Sequence, residues 1–321
     1  MKKFGAKTTA EEVLAGMDLN GKHFLVTGAT SGIGRETSRA LLTRGASVVG
    51  TARDDIKADN ATAQVREAAA AGGGSWELIA LDLASLASVR EAAERLVEDG
   101  RRFDAIIANA GVMAPPFGRT ADGFELQFGI NHVGHFVFVN AIERLLVDGG
   151  RLVVVSSQAH RGADVDLVDP NFSNHPYDAW TAYGQSKTAN ALFAVEFDKR
   201  HRSRGVRAAS VMPGNALTNL PQFLTPESLQ GLFEIVGKAR AEAGLPPPEL
   251  KEISQAAATS AWAAVVANKN VIGGRYLEDC AVAPVVDIPN AFADGVRSYA
   301  LDGERAARLW KRTEELVQAA A

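Results

Sequence analysis

His23-Phe24-Leu25-Val26-Thr27-Gly28-Ala29-Thr30-Ser31-Gly32-Ile33-Gly34 is the stretch that decides the fold. An apolar run ends at Val26, glycines stand at 28, 32 and 34, and a helical pattern follows. Glycine lets the main chain turn sharply and lets an anion come close to the amide N–H groups. A helix beginning there adds the partial positive charge of its N-terminus. Gly28, Thr30, Ser31, Gly32, Ile33 and Gly34 are therefore expected to seat a pyrophosphate. The spacing is Gly-x-x-x-Gly-x-Gly and no Gly-Lys-Ser/Thr follows, which disfavours a nucleotide-hydrolysing loop. Alone, the same residues also suit a strand-to-helix turn without ligand.

Outward from this turn, short apolar runs alternate with helical patterns. Strands are expected at 23–28, 46–53, 76–83, 104–111, 151–157, 207–214 and 274–278. Most are continuously apolar, as strands covered on both faces are. Helices are expected near 32–44, 60–72, 85–98, 123–147, 181–204, 226–243 and 254–267. That alternation implies right-handed βαβ units and an α/β, doubly wound parallel sheet of Rossmann type. Residues 1–20 read as an extension, and 21–321 as a single domain. Gly72-Gly73-Gly74 reads as a loop between helix and strand. The segment 215–250 breaks the alternation and suits either a substrate loop or a surface insertion packed on the sheet. Leu309, Trp310, Leu316 and Val317 lie at helical spacing, so 302–318 is expected to dock as an amphipathic helix.

The chain-wide numbers exclude several classes. A net charge of −4 over 321 residues leaves no electrostatic footprint for nucleic acid. One cysteine, Cys280, rules out an internal disulfide framework and fits a reducing compartment. The opening residues carry no apolar signal region, and no run reaches the roughly 18 apolar residues that span a bilayer. A cytoplasmic protein without membrane attachment is the expectation.

The end of the second strand reads Val48-Val49-Gly50-Thr51-Ala52-Arg53. A carboxylate there would bond ribose hydroxyls and repel a 2′-phosphate. Arg53 instead offers a planar fork of donors to that phosphate, which favours NADP over NAD. Asp54 and Asp55 follow directly and would act as ribose ligands if Arg53 is only a solvated loop residue. Asp82-Leu83 closes the third strand, where a carboxylate can accept from an adenine amino group. Asn109-Ala110-Gly111 closes the fourth, with residues small enough for a cofactor to lie across the strand ends.

Downstream lies Tyr183-Gly184-Gln185-Ser186-Lys187. Tyr183 and Lys187 are four apart and share one face of a helix. A phenol titrates near 10, and an adjacent ammonium is expected to lower that value. The pair suits proton exchange with a carbonyl–alcohol couple. Ser156-Ser157, at the end of the strand 151–155, offers a hydroxyl to hold a substrate oxygen, and Asn131 suits orienting a water behind the lysine or, taken alone, bending a helix.

Together these motifs resemble the classical, NADP-preferring branch of the short-chain dehydrogenase/reductase family. The resemblance runs over roughly 20–280 and includes Pro213-Gly214-Asn215-Ala216-Leu217-Thr218. It implies a catalytic tetrad of Asn131, Ser157, Tyr183 and Lys187, with Tyr183 moving the proton. It also implies Lys187 on the nicotinamide ribose, and Pro213, Gly214, Asn215 and Thr218 on the nicotinamide. The closer likeness is to retinol dehydrogenases and WW-domain-containing oxidoreductases, carried by 8–16, 131–136, 155–160 and 273–276. The membrane location typical of retinol dehydrogenases is not expected to carry over.

The expected reaction is NADP(H)-dependent interconversion of an alcohol with a ketone or aldehyde. The alternatives are a non-catalytic NADP(H)-sensing regulator on the same fold and a sugar-nucleotide epimerase. Expected walls at 113–117, Trp180 and 217–235 are largely apolar, favouring a lipophilic or aromatic substrate, though many of these residues also suit a core. Gln158 and His160 would bond a polar substrate group, or His160 would lie on the surface. His132 and His135 lack the Asp, Glu or Cys partners of a metal site, so no metal is expected. The family resemblance implies a homodimer or homotetramer through helices near 123–147 and 181–204, surfaces for which the tail helix competes.

Overall fold

A computed structural model of the chain describes residues 4–53, 60–216, 223, 226–242, 244–288 and 294–320. Among them, an eight-stranded sheet carries helices on both faces. Its strands are β1 (His23–Val26), β2 (Ser47–Ala52), β3 (Ser75–Ala80), β4 (Phe103–Ala108), β5 (Leu146–Val155), β6 (Arg207–Met212), β9 (Arg275–Glu278) and β10 (Ala281–Val282), with β7 (Asn215–Ala216) and β8 (Leu250–Lys251) forming a separate pair. The order is β10-β9-β6-β5-β4-β1-β2-β3, parallel throughout except for β10 against β9. The winding direction reverses beside β1, between β2 and β4, which opens a crevice at their carboxyl ends.

Successive strand residues point to opposite faces, so each strand feeds two cores. Phe24, Val26, Ile107, Val153 and Leu277 pack on one face with α1 (Ala10–Val13) and α2 (Gly32–Leu42). Leu25, Val49, Ile106, Leu152 and Val154 pack on the other, against α4 (Leu86–Glu98) and the helices beyond it. The remaining β2–β3 connection is made by α3 (Ala63–Gly72).

Several expected boundaries move. The helix expected over 123–147 is α5, which runs from Leu126–Phe128 through a π turn, Gly129–Gly134, into His135–Ile142. It ends early because β5 begins at Leu146, five residues before the expected Arg151. The helix α6 (Ala179–His201) starts at Asp178, whose carboxylate accepts from the Thr181 N–H at 2.7 Å. Beyond α7 (Pro226–Glu242), the helix expected at 254–267 is broken into Ile253–Ala256, Ala258–Ala261 and a π turn, Trp262–Val266, together α8.

The tail forms α9 (Gly303–Ala319) and docks across α5 and α6. Trp310 packs edge-on against Phe136 at 4.9 Å, and the Arg200 guanidinium lies 4.2 Å over its ring. His132 hydrogen-bonds Thr313 at 2.9 Å and is held neutral by burial, its pKa pushed down to about 3. That histidine, grouped with His135 by spacing, therefore fixes the tail helix. The α5/α6 surface expected to carry a homo-oligomer is the surface on which α9 lies.

Candidate functional site

The Thr27-to-Gly34 turn sits at the crevice. Gly28 and Gly32 have φ of 66° and 51°, left-handed values that favour glycine. Gly34 is tight: a Cβ there would stand 2.4 Å from both the Gly28 carbonyl and the Asn109 amide nitrogen. α2 begins at Gly32, and its N-cap Ser31 makes no side-chain capping bond. The first-turn N–H groups thus lack a side-chain cap, which is the arrangement an anion can use. Gly28, Thr30, Ser31, Gly32 and Ile33 stay half-open around the turn. A pyrophosphate fits this cradle.

One hydroxyl joins the two strand ends. Thr27 Oγ1 accepts from the N–H groups of Asn109 and Ala110, both at 2.9 Å. Its own proton is thereby left for His135 Nε2, 2.9 Å away. His135 then donates from Nδ1 to the Asn131 carbonyl at 3.1 Å, and burial keeps the ring neutral, with a pKa near 4. Asp82 accepts from the Ala84 N–H at 2.9 Å beside buried Leu83. Arg53 is exposed one residue beyond β2. Asp54, Asp55, Leu217 and Thr218 lie outside the described residues.

Tyr183 and Lys187 are buried on successive turns of α6, each 4% exposed. Lys187 Nζ donates to the Val155 carbonyl at 3.2 Å and lies 5.6 Å from the centre of the Tyr183 ring. The Ser157 side chain lies close enough to Tyr183 to favour its ionised form, and its Oγ accepts from the Ala159 N–H at 3.2 Å. Asn131 projects from the π turn. Its Oδ1 accepts from Val112 N–H at 2.8 Å, and its Nδ2 donates to Val112 O at 3.0 Å and Ser186 Oγ at 2.9 Å. A Cβ on Gly111 would meet Asn131 Oδ1 at 2.8 Å and Lys187 Nζ at 3.4 Å. Gly111, Asn131 and Lys187 therefore converge, with both Asn131 amide protons already given to protein atoms.

Electrostatics correct one expectation. The Tyr183 phenol is pushed up to about 12 by burial, which outweighs the effect of Ser157. Lys187 is pushed down to about 8, also by burial. Both groups are desolvated on one buried helix face, and for Tyr183 that effect exceeds the lowering expected from an adjacent ammonium. At neutral pH Tyr183 therefore holds its proton.

The site's floor rests on residues that spacing did not reveal. Ala114, at a left-handed φ of 46°, donates to Gln127 Oε1 at 2.9 Å. Gln127 Nε2 donates to Tyr177 Oη at 2.9 Å and to the Ala179 carbonyl at 2.8 Å. One fully buried amide thus joins the 112–117 loop, the stretch that ends at Asp178 and the start of α6. Gln127, Asn131 and His135 repeat at the helical interval, a signal that was present in the sequence. Gln127→Leu leaves one buried donor, the Ala114 N–H, and two part-buried acceptors, Tyr177 Oη and the Ala179 carbonyl, without their partner. The expected cost is about 2–4 kcal/mol of stability, with at least a tenfold drop in kcat/KM. Thermal melting and steady-state kinetics check both.

Around the mouth, Phe117 meets Tyr177 edge-on at 5.2 Å, and Trp180 meets Tyr183 at 6.4 Å. Gln158 Nε2 donates to Asn215 Oδ1 at 2.8 Å. Gly214, at φ 97°, lies under the Lys251 side chain, which pairs with Asp279. Phe223 is exposed, while Leu220 and Leu224 are outside the described residues. His160, expected on the surface or against substrate, is fully buried instead. No group of three or more His, Cys, Asp or Glu among the described residues is placed to hold a metal ion.

A dinucleotide cradle beside a buried tyrosine and lysine and a half-buried serine defines the class: a dinucleotide-dependent oxidoreductase on a doubly wound sheet. The short chain dehydrogenase family model matches residues 22–228. A "probable oxidoreductase" of Streptomyces lividans is 39% identical, over 94% of this chain and 100% of its own. Retinol dehydrogenase 14 of Homo sapiens is 35% identical, over 93% of this chain and 87% of its own. The solved structure of the angucycline C-6 ketoreductase LanV with bound NADP has a TM-score of 0.63 at 27% identity, over 82% of this chain and 95% of that one. The chain belongs to the short-chain dehydrogenase/reductase family and is an oxidoreductase.

Proposed function

We propose that the protein is an NADP(H)-dependent oxidoreductase that interconverts an alcohol and a lipophilic or aromatic ketone or aldehyde. The observation that carries this reading is Tyr183, buried beside Lys187 on one face of α6 with Ser157 next to it, at the strand ends near the Thr27-to-Gly34 cradle. When bound, the nicotinamide supplies a hydride to the carbonyl carbon or takes one from the alcohol carbon. Gly28 through Gly34 would hold the pyrophosphate, and Asn109-Ala110-Gly111 and Pro213-Gly214-Asn215 would lie along the rest of the cofactor. Lys187 has ammonium protons beyond the one given to Val155, and these would bond the ribose. Thr218 is assigned to the nicotinamide by family resemblance.

In reduction, Ser157 holds the carbonyl oxygen and Tyr183 gives it a proton as the hydride arrives at carbon. The products are the alcohol, a Tyr183 phenolate and the oxidised cofactor; the phenolate then regains a proton from solvent. Phe117, Tyr177 and Trp180 present aromatic faces and edges at the mouth, which supports a flat or apolar substrate. No helix among the described residues is long and apolar enough to cross a membrane.

The Arg53 assignment is tested by calorimetric titration with NADPH and NADH in parallel. The wild type is expected to bind NADPH at least about tenfold more tightly. Arg53→Glu is expected to erase or reverse that preference. Equal affinities in the wild type overturn Arg53 as the 2′-phosphate anchor.

A further inference from the structure

His160 stands three residues beyond Ser157, inside the short turn Gln158–Gly162. Two of its groups converge on one atom, the Ser157 carbonyl oxygen. The His160 backbone N–H donates to it at 3.2 Å and the ring Nδ1 at 2.7 Å. The other ring nitrogen, Nε2, accepts from the Arg297 N–H at 3.3 Å. A nitrogen that accepts a main-chain N–H carries no proton, so the ring is neutral with its proton on Nδ1. Burial enforces the same state, holding the ring's pKa down near 3.

The ring has no freedom to turn. It packs on Tyr276 with centroids 4.6 Å apart. The His160 carbonyl accepts from the Tyr299 hydroxyl and, at 3.4 Å, from Thr188 on α6. Next door, Arg161 clasps Glu278 through two bonds at 3.0 and 3.1 Å and donates to the Gly295 carbonyl at 2.7 Å. The 294–301 segment thus presses on the turn from outside. Its force reaches Ser157 through the His160 ring.

We propose that His160 is a positioning residue: it fixes the plane of the Ser157–Gln158 peptide and so aims the Ser157 hydroxyl at Tyr183. The inference rests on the function proposed above. The pivot couples a segment more than a hundred residues away in sequence to the residue whose hydroxyl acts on the Tyr183 phenol. It makes no contact with substrate and undergoes no protonation change near neutral pH.

The test uses two substitutions that keep one nitrogen each. In His160→Asn the amide nitrogen falls where Nδ1 was and still reaches the Ser157 carbonyl. In His160→Gln the amide falls near Nε2 and meets Arg297 instead. H160N is expected to keep kcat within about threefold of wild type. H160Q is expected to lose ten- to a hundred-fold in kcat, with NADPH affinity unchanged and a melting temperature close to that of H160N. Equal kcat values in the two variants, high or low, overturn the proposal and leave His160 as packing against Tyr276. Crystal structures of both variants give a readout that needs no turnover. Ser157 Oγ is expected within hydrogen-bond distance of Tyr183 Oη in H160N and turned away in H160Q; the same orientation in both also overturns it. A wild type with no turnover would count against the proposed function, while the two crystal structures would still decide the role of His160.

Discussion

Tyr183→Phe is expected to lower kcat for carbonyl reduction by about 10³–10⁴-fold while NADPH affinity stays within a few-fold. Phenylalanine keeps the ring that packs against Trp180 and under the Lys187 ammonium, so the helix face is preserved. Only the phenolic hydroxyl beside Ser157 is lost. With its pKa near 12, that hydroxyl is almost wholly protonated at pH 7. It is ready to act as an acid and poorly prepared to act as a base. Reduction is therefore expected to be the faster direction at neutral pH, and oxidation to gain as pH rises. Stopped-flow measurement of NADPH oxidation, paired with calorimetry, separates chemistry from binding. Unchanged kcat in the variant would refute Tyr183 as the proton donor.

Lys187→Met is expected to cut kcat by at least about a hundredfold and weaken NADPH binding, yet to stabilise the fold. The ammonium is buried with a single carbonyl at 3.2 Å, and its pKa is depressed from 10.5 to about 8. The sign follows from linkage. The folded state releases this proton more readily than the unfolded chain, so stability is lost as pH falls from about 10.5 towards 8, and the loss is complete below that. Removing the charge at pH 7 should recover on the order of 2 kcal/mol after the lost hydrogen bond is counted. That is a rise of a few degrees in Tm for a chain of this length. The gain should vanish by about pH 10.5. A variant less stable than wild type at pH 7 would show that the ammonium is compensated by partners beyond Val155. In the wild type, reduction should decline as pH rises through about 8, where Lys187 loses its charge, well before Tyr183 titrates.

The sheet was legible because its signal is local. Leu25, Ile106 and Val154 belong to runs apolar on both faces, and only a strand buried between two helix layers needs that. The glycine turn was legible because φ values like those of Gly28 and Gly32 restrict the residue type. The start of β5 was not, since Gly149-Gly150 reads as a break and only pairing with β4 holds Leu146 in the ladder. The π turn at Gly129–Gly134 leaves no mark in composition. It is set by Asn131 reaching Val112, a contact made across the fold.

At the site, residue identities were more legible than their states. Tyr183, Lys187 and Ser157 declared themselves by type and spacing. The direction of the Tyr183 shift did not, because burial comes from β5 and the loops around α6 rather than from neighbours in sequence. His160 was misplaced for the same reason: what buries it arrives with Tyr276, Arg297 and Tyr299. Gln127 stands one helical repeat before Asn131, but its role is not legible in sequence, since its partners Ala114, Tyr177 and Ala179 lie 13 to 52 residues away.

The most direct test of the proposed chemistry is deuterium transfer. NADPH labelled at nicotinamide C4, on each face in turn, is incubated with the protein and a panel of aromatic and long-chain aldehydes and ketones, and the alcohols are read by mass spectrometry. The expected result is one deuterium on the carbinol carbon from one labelled face and none from the other. Cofactor that stays bound and reduced across the panel, or product alcohol without label from either face, would contradict direct hydride transfer at this site.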